Sequence, residues 1–209
     1  GLEGLERPPL PDALSAVVCT EHFVPGSYGE PDVRVLHYQP PGQVRMPYPA
    51  VLHLHGGGFV IGAPEMNDAS NRAMALEHGC VVVSVDYRLA PEVRLEGSLK
   101  DNFAALRWLV NPGSDLNVDP SRIALAGESA GGGHAAMLAL HLSSLQYGSN
   151  APRPCFLLLD APMLDDRTGN SDNLHPYTGN FIWKPEHNRF GWGALLGVEP
   201  GGPHVSGAP

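Results

Sequence analysis

The sequence predicts an α/β fold with a mostly parallel sheet and helices on both faces of that sheet. Two observations lead to this prediction. Short apolar, β-branched runs alternate with helical patterns along the chain. Several of these runs are almost continuously apolar, as in strands that helices cover on both faces. A chain of 209 residues with 43% hydrophobic residues is long enough for one sizeable core.

The predicted elements follow one another with short connections. The strands are expected at residues 33–40, 50–55, 80–87, 122–127 and 155–164, and the last of them is expected to be buried. The helices are expected at residues 66–79, 98–110 and 130–145. Gly79 ends the first helix, and the turn sequence Asn-Pro-Gly at 111–113 ends the second. Right-handed crossovers between parallel strands then place helices on both faces.

After Leu164 the composition changes to a segment rich in Gly, Pro and Asn, without the pattern of a closing strand. We therefore assign residues 1–164 to the N-terminal part of a core and residues 165–209 to the start of a cap or lid. Trp183, Phe190 and Trp192 either line this cap or serve as plain packing.

Composition narrows the class of partner. A formal net charge of -9 argues against nucleic acids and anionic membrane surfaces. The three scattered cysteines favour a reducing compartment over a disulfide framework or a zinc site. The apolar runs are too short to cross a bilayer, and the first residues lack the pattern of a signal peptide. These features favour a cytoplasmic protein without a membrane span, and they leave a homo-oligomer open.

Residues 127–131, Gly-Glu-Ser-Ala-Gly, fit the pattern G-x-S-x-G between a predicted strand and a predicted helix. In this context the serine lies on a sharp turn that exposes its hydroxyl, and the helix directs its N-terminal amides towards the same place. Ser129 is therefore a candidate nucleophile. The alternative is that Ser129 lies in an ordinary glycine-rich turn and has no catalytic role. A phosphate-binding P-loop is excluded, because no Gly-Lys-Ser/Thr follows.

The second motif is His-Gly-Gly-Gly at residues 55–58, directly after a predicted strand. Acyl transfer needs N–H donors for the developing oxyanion, and glycines let a substrate approach the backbone closely. A simple glycine turn is the alternative. The glycines miss the G-x-G-x-x-G spacing of a dinucleotide site, and Pro64 interrupts the helix that such a site needs. His53 and His55 could ligate a metal, but a third ligand is not evident, so we expect no metal.

Six segments in order carry a resemblance to a known family: HGGGFVIG, VVVSVDYRLAPE, SLKDNFAALRWL, RIALAGESAGG, PMLDDR and FIWKPEHNRFGWGALLG. From about Val33 onwards the chain resembles the hormone-sensitive-lipase-like (family IV) bacterial esterases of the α/β-hydrolase fold. The resemblance implies hydrolysis of esters with short to medium acyl chains, without a cofactor. It implies Ser129 as the nucleophile and the N–H groups of Gly57, Gly58 and Ala130 as the oxyanion hole.

The resemblance also implies roles for residues around these motifs. His55 would shape the glycine loop instead of acting as a base. The sequence Asp-Tyr-Arg at residues 86–88 would brace that loop. Two features differ from the family pattern: Glu128 stands where Asp is commonest, and residues 1–14 leave little room for N-terminal cap helices.

The remaining difference concerns the rest of the catalytic triad. In this family the acid and the histidine follow the serine on later strands, in that order, and the printed chain reaches neither. Possible substitutes within the chain are poorly placed for hydrogen bonding to Ser129; they are Asp160, His134, His141, His175, His187 and His204. We therefore expect the acid and the base beyond the given sequence, and little or no activity from residues 1–209 alone. The alternative is a non-catalytic protein that binds a small molecule on the same scaffold.

Overall fold

The computed structural model describes residues 10–27, 29–42, 47–144, 152–169, 175, 177, 179 and 181–202. The strands are β1 (Val18–Val24), β2 (Val33–Gln39), β3 (Tyr48–Leu54), β4 (Val81–Val85), β5 (Val118–Glu128) and β6 (Phe156–Asp160). The α-helices are α1 (Asp12–Ser15), α2 (Asp68–His78), α3 (Leu95–Leu109), α4 (Ala130–Ser143) and α5 (Pro185–Leu196), and a 3-10 turn at Pro64–Asn67 precedes α2.

All six strands join one sheet in the order β1-β2-β4-β3-β5-β6. The pairs β3–β4, β3–β5 and β5–β6 are parallel. The pairs β1–β2 and β2–β4 are antiparallel. The prediction of a mostly parallel sheet is confirmed, and the antiparallel part lies at one edge.

The two faces of the sheet bury different side chains. On β4, Val81 and Val83 belong to a core cluster with residues of α3 and α4, whereas Val82 belongs to a cluster with residues of α2. This alternation follows from the two-residue period of a strand. It confirms the prediction that helices cover both faces.

Two elements at the N-terminus were not predicted. Helix α1 has only four residues, too few for a helical pattern. Strand β1 has the sequence VCTEHFV, and most of its side chains are exposed or half-buried. Because β1 is an edge strand, its polar side chains reach solvent, so its sequence lacks the apolar run that identified the inner strands. The helix predicted from residue 98 begins at Leu95.

The prediction that the strand at residues 155–164 is buried is wrong. Strand β6 is shorter than predicted and its side chains are mostly exposed: Phe156 is 59%, Leu157 40% and Leu158 47% exposed. The reason is its position, since β6 pairs only with β5 in the described part of the chain.

The segment after Leu164 contains a helix that the composition did not predict. Helix α5 begins with Pro185 and ends at Gly197, which adopts φ 70°. These are common positions for proline and glycine at helix ends. Trp192 and Leu195 of α5 are buried in a third cluster with Phe59, Ala130 and Met137. The start of the proposed cap therefore packs directly on the core.

Among the described residues, no helix combines the length and the apolar character that a membrane span requires.

Candidate active site

Ser129 lies on the turn between β5 and α4, with φ 52° and ψ -119°. Residues other than glycine rarely adopt a positive φ, so the backbone at Ser129 is strained. Hydrogen bonds hold the turn on both sides. The Ser129 N–H donates to the carbonyl of Asp160 at 2.9 Å, and the Ser129 carbonyl accepts the N–H of Met163 at 2.9 Å. The strained turn is thus fixed between β6 and the chain that follows it.

The glycines on either side of Ser129 are required by close backbone contacts. A Cβ on Gly127 would overlap the backbone of Gly131, and a Cβ on Gly131 would overlap the carbonyls of Leu54 and His55. The G-x-S-x-G pattern therefore brings the start of α4 against the end of β3, where the glycine loop begins.

The glycine loop at residues 55–58 leaves the same edge of the sheet, because β3 and β5 are parallel neighbours with Leu54 opposite Gly127. Gly57 and Gly58 have φ of 124° and 60°. In the described part of the chain, the N–H groups of these two glycines donate no hydrogen bond. The N–H of Ala130, the first residue of α4, has no intrahelical acceptor. The N–H groups of all three predicted oxyanion donors therefore have no acceptor among the described residues.

Tyr87 anchors the glycine loop. Its hydroxyl donates to the carbonyl of His55 at 2.6 Å, and the two rings stack with centroids 4.3 Å apart. Burial raises the pKa of Tyr87 and lowers that of His55, so both side chains are neutral near pH 7. Asp86 instead pairs with Arg34 at 3.1 Å, and Arg88 with Asp101 at 2.8 Å.

Glu128, the residue before the candidate nucleophile, also holds the glycine loop. Its Oε1 accepts the N–H of Gly56 at 2.7 Å, and its Oε2 lies 3.1 Å from Nε2 of His53. Burial raises the pKa of Glu128, but the hydrogen bond and charge interaction with His53, together with hydrogen bonds from Gly56 and Asn67, outweigh burial and lower the pKa overall. The sequence identified Glu128 only as a departure from the family pattern, because its partners are more than 70 residues away.

Among the residues that the structure describes, no candidate base forms a hydrogen bond with Ser129. His134 is fully buried against the rings of Phe59 and Tyr87, and burial lowers its pKa to about 3. Three other candidates have neighbours or positions of their own: His141 contacts the ring of Phe103, His187 lies in the first turn of α5, and His175 is exposed. His204 lies outside the described residues. Within the described residues, the Ser129 hydroxyl makes no hydrogen bond with a histidine.

Neither a triad acid at Asp160 nor a metal site at His53 gains support from the geometry. The backbone carbonyl of Asp160 accepts the N–H of Ser129, and the Asp160 side chain is exposed. His53 uses both ring nitrogens in hydrogen bonds, to Ser84 at 3.0 Å and to Glu128. Among the described residues, no three His, Cys, Asp or Glu side chains are grouped as metal ligands.

Trp183 packs on the glycine loop. Its ring occupies the space that a side chain on Gly58 would fill, so Gly58 must lack one. The Trp183 indole N–H donates to Oδ1 of Asn188 at 3.1 Å, and Nδ2 of Asn188 donates to the carbonyl of Thr168 at 2.8 Å. The sequence left Trp183 open between lining and packing; the structure places it over the loop. Asn188, which holds it, was not identified because a lone Asn carries no sequence signal.

The cavity of about 710 Å³ between α5 and the chain after β4 is separate from this site. Its lining residues include Arg94, Arg189 and Phe190, and none of Ser129, Gly57 and Gly58. Ser129 and the glycine loop lie instead at the junction of β3 and β5, where Leu54 is opposite Gly127.

The fold and this junction define an α/β-hydrolase. The family model for the alpha/beta hydrolase fold matches residues 51–206, and the chain belongs to this family. The predicted resemblance to α/β-hydrolase esterases is thereby confirmed.

Relatives and solved structures agree with this assignment. The chain is 43% identical over 138 residues to a carboxylesterase (NlhH) of Mycobacterium tuberculosis, an alignment that covers 66% of this chain and 42% of the relative. It is 34% identical over 147 residues to the ethyl acetate hydrolase of Pseudomonas putida, covering 70% of this chain and 41% of the relative. The structure of a bacterial heroin esterase superimposes with a TM-score of 0.82 at 34% identity, covering 92% of this chain and 60% of the esterase. The chain thus spans less than half the length of these curated relatives.

Proposed function

We propose that this chain supplies the nucleophile and the oxyanion-binding groups of a carboxylic ester hydrolase. The observation that supports this proposal is the pairing of a strained Ser129 with three N–H groups that have no acceptor in the described residues, those of Gly57, Gly58 and Ala130. A serine hydroxyl and preorganised amide donors are the two elements that acyl transfer to serine requires.

In the proposed reaction, Oγ of Ser129 attacks the ester carbonyl carbon while a base takes the hydroxyl proton. The carbonyl oxygen becomes an oxyanion and accepts hydrogen bonds from the three amides. Collapse of the tetrahedral intermediate expels the alcohol, which takes up the proton, and leaves an acyl-serine. Water, activated by the same base, then releases the carboxylic acid. Removing one oxyanion donor typically costs about 10²–10³ in kcat.

We propose that the base and its orienting acid come from residues outside the printed sequence. No described histidine reaches Ser129, and the relatives are more than twice as long as the regions that align with this chain. In α/β-hydrolases the order along the chain is serine, acid, histidine, which is consistent with this proposal.

The proposed substrates are small esters with short to medium acyl chains. The relative from Pseudomonas putida is named for hydrolysis of ethyl acetate, and the aligned solved structure is that of a heroin esterase. The first of these names denotes an ester of a short acyl group. The Trp183 ring over Gly58 would close one side of the space beside the oxyanion donors.

Hydrolysis of p-nitrophenyl butyrate and labelling by a fluorophosphonate test this proposal. The protein encoded by the complete gene should hydrolyse the ester and be labelled at Ser129, and Ser129→Ala should abolish both. A chain verified by intact mass as residues 1–209 should show weak turnover or none, because residual catalysis of roughly 10³–10⁴ over water needs no triad.

Two outcomes would contradict the proposal. Turnover by residues 1–209 at the rate of the complete protein would mean that the base lies within the printed sequence. A complete protein without turnover and without labelling would instead favour a non-catalytic protein that binds a small molecule.

A further inference from the structure

Glu128 joins the turn of the nucleophile to the glycine loop through a single carboxylate. It is the last residue of β5, adjacent to Ser129 in the chain. Its Oε1 accepts the Gly56 N–H at 2.7 Å, and Oε2 lies 3.1 Å from the His53 ring. The Gly56 backbone lies close to Glu128, since a Cβ on Gly56 would lie 3.3 Å from the Glu128 backbone carbonyl oxygen and 3.4 Å from the side-chain Cγ.

His53 fixes the other oxygen of the carboxylate. The ring is buried on β3, and its Nδ1 lies 3.0 Å from Oγ of Ser84 on β4. An ionised carboxylate only accepts hydrogen bonds, so Nε2 of His53 donates to Glu128, and Nδ1 forms a hydrogen bond with the Ser84 hydroxyl. The chain of hydrogen bonds therefore crosses three neighbouring strands, β4, β3 and β5, at their carboxyl ends.

The glycine loop needs such an anchor. Gly57 and Gly58 adopt positive φ angles. Because glycine has no side chain, these two residues can adopt many other backbone conformations in the free chain. In the described residues, two side chains from outside the loop hold its start by hydrogen bonds: Tyr87 donates to the carbonyl of His55, and Glu128 accepts the N–H of Gly56. Within the loop, Nδ1 of His55 lies 2.8 Å from the Gly56 carbonyl oxygen. The Gly56 bond immediately precedes the two proposed oxyanion donors, so it sets the direction of the chain that carries them.

We propose that Glu128 is a positioning residue for ester hydrolysis, which holds the glycine loop against the nucleophile turn through Gly56 and His53 and so aims the oxyanion donors at the Ser129 side chain. The inference rests on the proposed function. Glu128 itself contacts neither the substrate nor the proton in transfer. Misplacement of catalytic groups by about 1 Å typically costs about 10²-fold in rate.

The test is the kinetics of p-nitrophenyl butyrate hydrolysis by the protein encoded by the complete gene. Glu128→Ala removes both hydrogen bonds and should lower kcat about 10- to 100-fold while KM changes less than about threefold, because the oxyanion forms only in the transition state. Glu128→Gln keeps an acceptor for Gly56, and its amide can donate to the other tautomer of His53. This conservative variant should therefore keep at least about a third of the wild-type kcat.

Two further variants complete the comparison. His53→Ala should lower kcat in the wild-type background but add little in the Glu128→Ala background, since residues that act in one network are not additive. Glu30→Gln is the matched control: it removes the same charge from a carboxylate that pairs with Arg88 and Lys100. This control should leave kcat and KM unchanged.

Hydrogen–deuterium exchange at residues 55–62 gives a readout that does not depend on turnover, and it should be faster in Glu128→Ala than in the wild type. An active wild type with unchanged kcat in Glu128→Ala, or with an equal loss in Glu128→Gln and Glu128→Ala, would overturn the positioning role alone. An inactive and unlabelled wild type would overturn the proposed function. Unchanged exchange at residues 55–62 would overturn the anchoring of the loop whichever activity is found.

Discussion

Glycines in the helices of this chain are present for different reasons. Gly131 in α4 faces the carbonyls of Leu54 and His55, which leave no space for a side chain. At Gly193 in α5 the nearest atoms to an added Cβ are 3.7 Å away, an ordinary contact distance. The first glycine is required by tertiary contact, whereas the second only weakens its helix.

Alanine should therefore have opposite effects at these two positions. Gly131→Ala should lower the free energy of unfolding by about 2 kcal/mol or more, since the overlap forces the backbone apart. Gly193→Ala should raise it by about 0.5–1 kcal/mol, the difference in helix propensity. Urea unfolding of the purified proteins measures both. A shift of the two midpoints in the same direction would contradict this account of Gly131.

His134 should make the fold sensitive to acid. Burial lowers its pKa to about 3, and both ring nitrogens lack a hydrogen bond in the described residues. In the unfolded chain a histidine has a pKa near 6.5, so below that pH the unfolded state binds a proton that the native state excludes. The free energy of unfolding should thus fall by about 1.4 kcal/mol per pH unit from about pH 6.5 towards pH 3.

Replacing the titrating ring tests this dependence. In His134→Leu, the thermal midpoint of unfolding should change less between pH 6.5 and pH 4 than in the wild type, because the group that binds the proton is removed. His141→Leu is the control from the same helix, where the ring is only half-buried and burial also lowers the pKa. An equally steep pH dependence in His134→Leu and the wild type would show that other groups cause the acid sensitivity.

Helix α5 is attached to the core through one side of its surface. Trp192 is fully buried, and its ring centroid lies 4.9 Å from that of Phe59, next to the glycine loop. Phe190, two residues earlier, is 62% exposed. Since residues two positions apart on a helix point in different directions, only one of these aromatic side chains docks the helix.

Alanine substitutions at Trp192 and Phe190 test which of the two side chains attaches α5 to the core. Trp192→Ala should cost about 3–5 kcal/mol of stability, the usual loss for a large buried aromatic side chain. Phe190→Ala on the same helix should change stability by no more than about 0.5 kcal/mol. Limited proteolysis between residues 181 and 202 reports detachment of the helix. Equal cleavage rates in both variants would contradict docking through Trp192.

The sheet as a whole has one edge that is much more apolar than the other. On β6, Phe156, Leu157 and Leu158 are exposed in the described structure, whereas β1 at the opposite edge carries polar residues between Val18 and Phe23. An exposed apolar edge strand promotes association with other strands.

Residues 1–209 produced alone should consequently self-associate through β6. Leu158→Lys should shift the chain towards the monomer in size-exclusion chromatography, because a charge on an edge strand opposes pairing. Val18→Lys, which places the same charge on the opposite edge, should have a smaller effect. A monomer in the absence of any substitution would refute association through this edge.

Much of the fold could be predicted from periodicity. Strands β2 to β5 and helices α2 to α4 were found within a few residues, because each carries an apolar pattern with the period of its own structure. Strand β1 and the exposure of β6 could not be predicted, since burial at an edge depends on which neighbours are present. Helix α5 has proline and glycine at its ends, but they lie among other prolines and glycines that obscured the signal.

The sequence determines the order of strands β2 to β6 and helices α2 to α4, the turn at Ser129 and the glycine loop, because each depends on residues close together in the chain. The approach of Glu128 to Gly56, 72 residues away, belongs to the tertiary structure. It arises because β3 and β5 become parallel neighbours, although β4 lies between them in the chain. The burial of His134 and the exposure of β6 also belong to the tertiary structure. Both depend on contacts between distant segments, which a local sequence pattern does not encode.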